Sequence, residues 1–294
     1  MSAFVSHRDY ITFAESVKRE WRYARSPEQQ QFLQAVLETS DPRTEEIPAF
    51  SRLARAQIAF DWQPIDIGGG EMEEVPAPCG PTRMMPRSNM ASEGRANAKG
   101  IPVLYAATHR ETAIAEVRPW LGLLVTVGMI RTNRVLRIVN CANDRRGRHG
   151  NPFRPPDAKE FEGYVWADIN RAFSKPVNPT DHLADYAPTQ VLAEYFRQRR
   201  FDGIAYASSL GPGHNLALFD LTAAEVRGCD LVEVTKVAFT AEQASNAYFI
   251  ADMDEHDAAE FVAQHESELE AGRPPDEAEI SRSDPDVSRA NNDL

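Results

Sequence analysis

Cysteine is scarce in this chain, and long apolar runs are absent. Only Cys79, Cys141 and Cys229 stand among 294 residues, far apart, odd in number and without a C-x-x-C pair. That excludes a disulfide framework and points to a reducing compartment, read as the cytoplasm. No apolar stretch approaches the roughly 18 residues of a membrane span, and the N-terminal segment lacks the apolar core of a signal peptide. No membrane partner is therefore expected. Three familiar motifs are also missing: G-x-G-x-x-G after a strand, G-x-x-x-x-G-K-[ST] and H-E-x-x-H. The seven histidines are scattered without metal-ligand spacing, and no G-x-S-x-G elbow surrounds a serine. Neither a metal centre nor a Ser-His-Asp hydrolase is expected.

A basic footprint is lacking too. The net charge is −12, but residues 251–294 alone hold 14 acidic and 3 basic side chains, leaving 30 acidic and 29 basic over the first 250. The body is close to neutral and the tail is acidic. Nonspecific nucleic-acid binding, which needs a cationic surface, is not expected. A local cationic pocket for a phosphorylated small molecule stays compatible with this balance. Hydrophobic content of 42% and charged content of 26% are those of an ordinary globular protein.

Three stretches emerge along the chain: an N-terminal helical segment (1–48), a main domain (49–250), and an acidic C-terminal helix with a disordered tail (251–294). Residues 8–40 carry apolar positions at helical spacing, and Ser26-Pro27 is a helix start. The segment serves either as an accessory domain or as a homodimer surface. Residues 64–94, with glycines at 68–70 and several prolines, read as a long irregular loop over a functional face. Residues 123–130 and 135–141 read as strands joined by a hairpin-like turn, 161–173 and 189–196 as helices, and 201–206, 216–219 and 231–239 as strands. Helices and strands in this mixed order predict an α+β fold with a mixed or antiparallel sheet and flanking helices.

The densest stretch is 94–120. A polar turn holding Arg95 leads into a short apolar strand holding Tyr105, and a helix carries Glu116 eleven residues later. Thr108 with Glu111 reads as a capping box for that helix. Thr112 and Ala113 share the face of Glu116 and leave room beside it. A cation, a ring and a carboxylate thus converge from adjoining elements. On spacing alone, Glu116 also reads as a solvated residue paired with Arg118 or Lys99, and Tyr105 as a core aromatic. Downstream, a loop of glycines and serines follows Tyr206 and includes Ser208, His214 and Asn215; such backbone can hydrogen-bond a phosphate or a hydroxyl.

Four separated motifs carry a resemblance. Arg55 within ARAQIAFDW, Arg95 within GRANAKGIPVLY, Glu116 within ETAIAEVRPW and Ser208 within DGIAYASSLGPGHNLALF resemble the RES-domain family, named for its arginine, glutamate and serine. PTQVLAEYF at 188–196 is another matching block, and the likeness spans roughly residues 50–235. Ala98 stands where the family often has proline.

The resemblance implies a fold like that of ADP-ribosyltransferase toxins. It also implies an enzyme that cleaves the nicotinamide–ribose bond of NAD, by phosphorolysis to nicotinamide and ADP-ribose-1-phosphate or by hydrolysis. NAD would be the substrate, inorganic phosphate a co-substrate, and an antitoxin protein a partner, as in bacterial toxin–antitoxin pairs. Glu116 would stabilise the oxocarbenium-like ribose, and Arg55 and Arg95 would clamp phosphates. Tyr105 would pack on the nicotinamide or ribose, and Ser208, helped by Asn215, would hydrogen-bond the ribose or the incoming phosphate. Arg52 and Ser209 stand close enough to replace Arg55 and Ser208. Two alternatives remain: a protein ADP-ribosyltransferase, and a non-catalytic nucleotide-sensing module.

Overall fold

The helix starts repeat local chemistry where nothing competes with it. In the computed structural model, Ser26 Oγ accepts from Gln29 N–H at 3.3 Å while Gln29 Oε1 accepts from Ser26 N–H at 3.4 Å, a reciprocal cap with Pro27 in the first turn. The structure describes residues 2–87, 90–142, 156–175, 183–238, 240 and 263. The chain divides into two units, Met1–Val237 and Ala238–Leu294, and the elements all belong to the first. The expected acidic helix and tail, and most of the charged loop after residue 142, lie outside the described residues.

In order these elements are α1 (Asp9–Arg19), α2 (Pro27–Glu38), β1 (Thr44–Ile47), β2 (Arg52–Gln57), β3 (Asp61–Gly68), β4 (Glu71–Ala77), α3 (Pro81–Met84), β5 (Leu104–Ala107), α4 (Arg110–Glu116), β6 (Leu124–Thr132), β7 (Leu136–Asn140), α5 (Phe161–Ser174), α6 (Ala187–Gln198), β8 (Gly203–Ala207), β9 (His214–Leu218) and β10 (Ala224–Glu233). Eight strands form one mixed sheet in the order β1-β7-β8-β9-β5-β2-β6-β10. Only β7 and β8 run parallel; the other neighbours are antiparallel. The expected α+β architecture, a mixed sheet with flanking helices, is what the chain adopts.

Chain connectivity forces this sheet to curl. Strands β6 and β7 stand five places apart, about 24 Å in a flat sheet. Residues 133–135 alone join them, a reach of about 15 Å at most. The sheet therefore folds over a core of Leu53, Ile130, Leu136, Ile138, Leu216 and Leu218. Residues 123–130 and 135–141 are strands as expected, but they are not a hairpin pair. Asn133 N–H instead donates to Ala223 O at 2.8 Å, and Arg134 reaches Asp202 and Asp220.

The other face of β7, β8 and β9 presents Val139, Ile204, Tyr206 and Ala217 to the helices. There Phe13 and Phe32 stack at 4.4 Å beside Trp166 and Phe196. Trp166 is fully buried, its indole N–H donates to Thr39 Oγ1 at 3.0 Å, and the Arg43 guanidinium lies 4.6 Å from its ring. The boundary expected near residue 48 therefore does not isolate an accessory helical segment. Its helices share this core, and β1 pairs with β7.

Two strand expectations are corrected. Within 64–94, β3 and β4 form a hairpin turning at residues 68–70, whose positive φ angles suit glycine. All of β3 is exposed, so neither face was under pressure to become apolar and no alternation marked it. The last strand begins at Ala224 rather than Leu231, because a register shift between Val226 and Gly228 breaks its period.

Phe32→Ala and Trp166→Ala are each expected to lower unfolding free energy by about 3–5 kcal/mol. Chemical denaturation should show one transition for both, since the two side chains belong to a single core.

Candidate active site

A four-residue turn before β5 is tied down from several sides. Gly94 N–H donates to Asn97 O at 3.0 Å. The buried Asn97 amide donates to the carbonyls of Ser92, Ala98 and Ile101 at 2.8–3.1 Å. Tyr105 Oη donates to Asn97 Oδ1 at 2.7 Å and accepts from Ala96 N–H at 2.9 Å. From α6, the Gln190 amide nitrogen donates to Glu93 Oε1, Gly94 O and Asn97 O at 2.9–3.0 Å. A Cβ on Gly94 would lie 2.6 Å from Tyr105 Oη and 2.8 Å from Asn97 Oδ1, so no larger residue fits. The turn holds Arg95, whose buried guanidinium lies 5.0 Å from the Tyr186 ring.

Opposite this turn, Glu116 ends α4. Its residue is exposed, but Oε1 accepts from Ser208 Oγ at 2.8 Å and from Asn215 Nδ2 at 2.5 Å. Asn215 lies in β9 directly across from Tyr206 in β8 and Ala107 in β5. Strand alternation therefore puts it on the sheet face of Tyr105 and Tyr206. Ser208 follows β8, and its oxygen also accepts from Leu210 N–H at 3.1 Å. Ser209 donates instead to Ser174 O at 3.1 Å, so Ser208, not its neighbour, meets the carboxylate.

Thr108 does not cap α4 as expected. His109 occupies the N-cap position without a side-chain bond, while Thr108 Oγ1 accepts from His214 N–H at 3.0 Å. A contact to β9 has displaced the local motif. Thr112, expected to leave space beside Glu116, is buried and donates to Pro212 O at 2.6 Å.

A cavity of about 190 Å³ opens between these parts, lined by Arg95, Tyr105, Glu116, Tyr206, Asn215 and, from α5, Phe173. Arg118 and Lys175 complete the wall together with Gly94 and Ser174. Phe173 and Tyr206 stack at 5.7 Å. Among the described residues that line it, Glu116 is the single carboxylate, beside the cationic side chains of Arg95, Arg118 and Lys175. Among the described residues no group of three His, Cys, Asp or Glu could hold a metal ion, and no helix is long and apolar enough to cross a membrane.

Arg55 stands apart from this cavity. Strands β2 and β5 pair at one position only, Ala54 opposite Ala107. Beyond it, Arg55 Nη1 donates to Tyr105 O at 2.7 Å, taking a carbonyl that a β2 amide would otherwise reach. Burial holds this guanidinium below its usual range, and its Nε has no hydrogen-bond partner. Arg52, three residues away on a period-two strand, lies on the opposite face and is exposed.

The site thus gathers Glu116, Arg95, Tyr105, Ser208 and Asn215, with Arg55 behind Tyr105. Asn97 and Gln190 were not singled out from the sequence, although both lie inside quoted blocks, the 94–105 motif and PTQVLAEYF. The RES-domain family model matches residues 79–240, more than half of the chain. The chain belongs to the RES-domain family. Arg95, Glu116 and Ser208 fall inside the match, and Arg55 precedes it. No curated protein matches the chain. Among solved structures, one match is a chain of the M. tuberculosis MbcT–MbcA toxin–antitoxin complex. It is 13% identical, covering 68% of this RES-domain chain and 92% of that one, with a TM-score of 0.36.

Gln190→Leu removes the donor shared by Glu93 Oε1, Gly94 O and Asn97 O, leaving the two carbonyls only their mutual backbone bonds, and is expected to cost about 1–3 kcal/mol, read by chemical denaturation. Burial also raises the phenols of Tyr10, Tyr105 and Tyr206 well above their usual value. The folded protein keeps protons that an unfolded chain releases above pH about 10. Stability should therefore be unaffected by these groups below that pH and fall as pH rises beyond it, measurable as a declining melting temperature.

Proposed function

We propose that this RES-domain protein cleaves the nicotinamide–ribose bond of NAD at the Glu116 cavity. The observation that carries the reading is a carboxylate fixed through one oxygen, the one carboxylate among the described lining residues, beside aromatic rings and cationic side chains. An O-glycosidase uses two carboxyl groups, one of them to protonate a poor leaving group. Nicotinamide needs no such acid, because its ring nitrogen is already cationic. When the bond breaks, its electron pair returns to that nitrogen and the base leaves neutral. Positive charge passes to the ribose.

Glu116 Oε2 makes no hydrogen bond to the described residues, while Ser208 and Asn215 occupy Oε1. The outward oxygen is the one that faces the developing oxocarbenium. Arg95 contributes a guanidinium for the diphosphate, and the Tyr105 and Tyr206 rings flank the base or the sugar. An incoming inorganic phosphate then forms a C1′–O bond, giving ADP-ribose-1-phosphate. With water in its place the product is ADP-ribose and a proton. In a toxin–antitoxin setting, an antitoxin would act by covering this cavity.

Incubating the protein with NAD in phosphate buffer and resolving products by mass tests the proposal. Free nicotinamide with ADP-ribose-1-phosphate or ADP-ribose supports it. A labelled polypeptide would indicate ADP-ribosyl transfer to protein, and binding without turnover would indicate a nucleotide sensor. Glu116→Gln should lower kcat on the order of 10²–10³-fold with little change in KM.

A further inference from the structure

The Glu116 cavity is too small for the whole substrate. At about 190 Å³ it falls below the roughly 300–1,000 Å³ of sites that enclose a drug-sized ligand. A dinucleotide held there by its nicotinamide end must place its other half elsewhere. A second cavity of about 430 Å³ shares Tyr105 with the first. It lies where β2 and β5 part company, with residues 83, 85–87 and 90–92 in its wall. Another cavity, about 690 Å³ between α2 and α6, shares no described lining residue with the Glu116 cavity.

Resting on the reading of the Glu116 cavity as the site of NAD cleavage, we propose that this second cavity takes the adenosine-diphosphate half of the dinucleotide. Its lining offers both chemistries that half requires. Arg55 is half-buried, with a buried, unpartnered Nε and no carboxylate partner among the described residues, and a charge withdrawn from water favours an anionic partner. Arg83 and Arg87 stand exposed in the same wall. Arg83 meets Asp61 only at 3.5 Å, an exposed contact of little strength. Met85 and Met90 supply polarizable apolar surface against which a purine can lie. With Tyr105 between the cavities, the diphosphate crosses from Arg95 to Arg55, and the adenosine settles beyond it.

The test is the double substitution Arg83→Glu with Arg87→Glu, and Arg87→Glu alone in case the double variant folds poorly. In the unmodified protein, ADP should compete with NAD. In the variants, KM for NAD should rise about tenfold while kcat changes less than threefold, and inhibition by ADP should weaken by a similar factor. An unchanged KM with NAD still cleaved would overturn this assignment and leave the cleavage reading intact. Should the unmodified protein not cleave NAD, the cleavage reading falls, and calorimetric titration with ADP decides the cavity by itself. ADP binding lost in the variants supports the cavity as a nucleotide site, and absent binding to the unmodified protein overturns it.

Discussion

One oxygen of Glu116, held by two donors from the β8–β9 hairpin, is the constraint around which the site is arranged. A carboxylate at the last residue of a seven-residue helix would otherwise sweep through several rotamers. Fixing Oε1 with a hydroxyl and an amide leaves Oε2 a single outward direction. The two donors differ in how they are held. Asn215 is locked by strand pairing on both sides, with Tyr206 and Ala107 across from it. Ser208 is positioned by its own loop, through the Leu210 amide. Rigid elements thus define the carboxylate, and the loop beside it supplies the last contact.

The Arg95 turn solves the complementary problem of presenting a cation from irregular backbone. Its backbone pairs only within the turn, Gly94 with Asn97, so side chains anchor it to the rest: Asn97 from within, Tyr105 from β5, Gln190 from α6. The Tyr105 hydroxyl is spent on the turn, which leaves only its ring to face a ligand. This also explains why α6 belongs to the site although none of its residues lines the cavity. Helices α1 and α2 support α6 in turn through the Phe13, Phe32 and Trp166 core. The N-terminal residues are therefore part of what holds the face carrying the candidate site together.

Much of this was legible in the sequence because it is local. The strand–helix spacing of Tyr105 and Glu116 fixes their relative approach, and alternation fixes which strand residues share a face. What escaped detection depends on contacts distant in sequence. Thr108 looks like a cap until His214 is brought beside it. Ser208 and Ser209 are indistinguishable until Glu116 and Ser174 are placed near them, 92 and 35 residues away. The β3–β4 hairpin was missed for the opposite reason. A two-stranded ribbon exposed on both faces has no buried side, and alternation reports only burial.

The charge of the cavity bears on which ligand it accepts. Three cations around one carboxylate would oppose a positive charge developing on a bare sugar. The same lining favours a sugar already attached to phosphates, whose two negative charges the arginines can meet while the carboxylate attends to the ribose. On the proposed reading, the cationic walls would serve binding and Glu116 the bond-breaking step. Such a division lets ground-state affinity come from groups remote from the reacting bond, with Glu116 interacting most strongly only once charge has moved. A neutral glycoside offers nothing to the arginines and a nucleotide without a glycosidic pyridinium offers nothing to Glu116. A ligand that engages both must carry the two functions together.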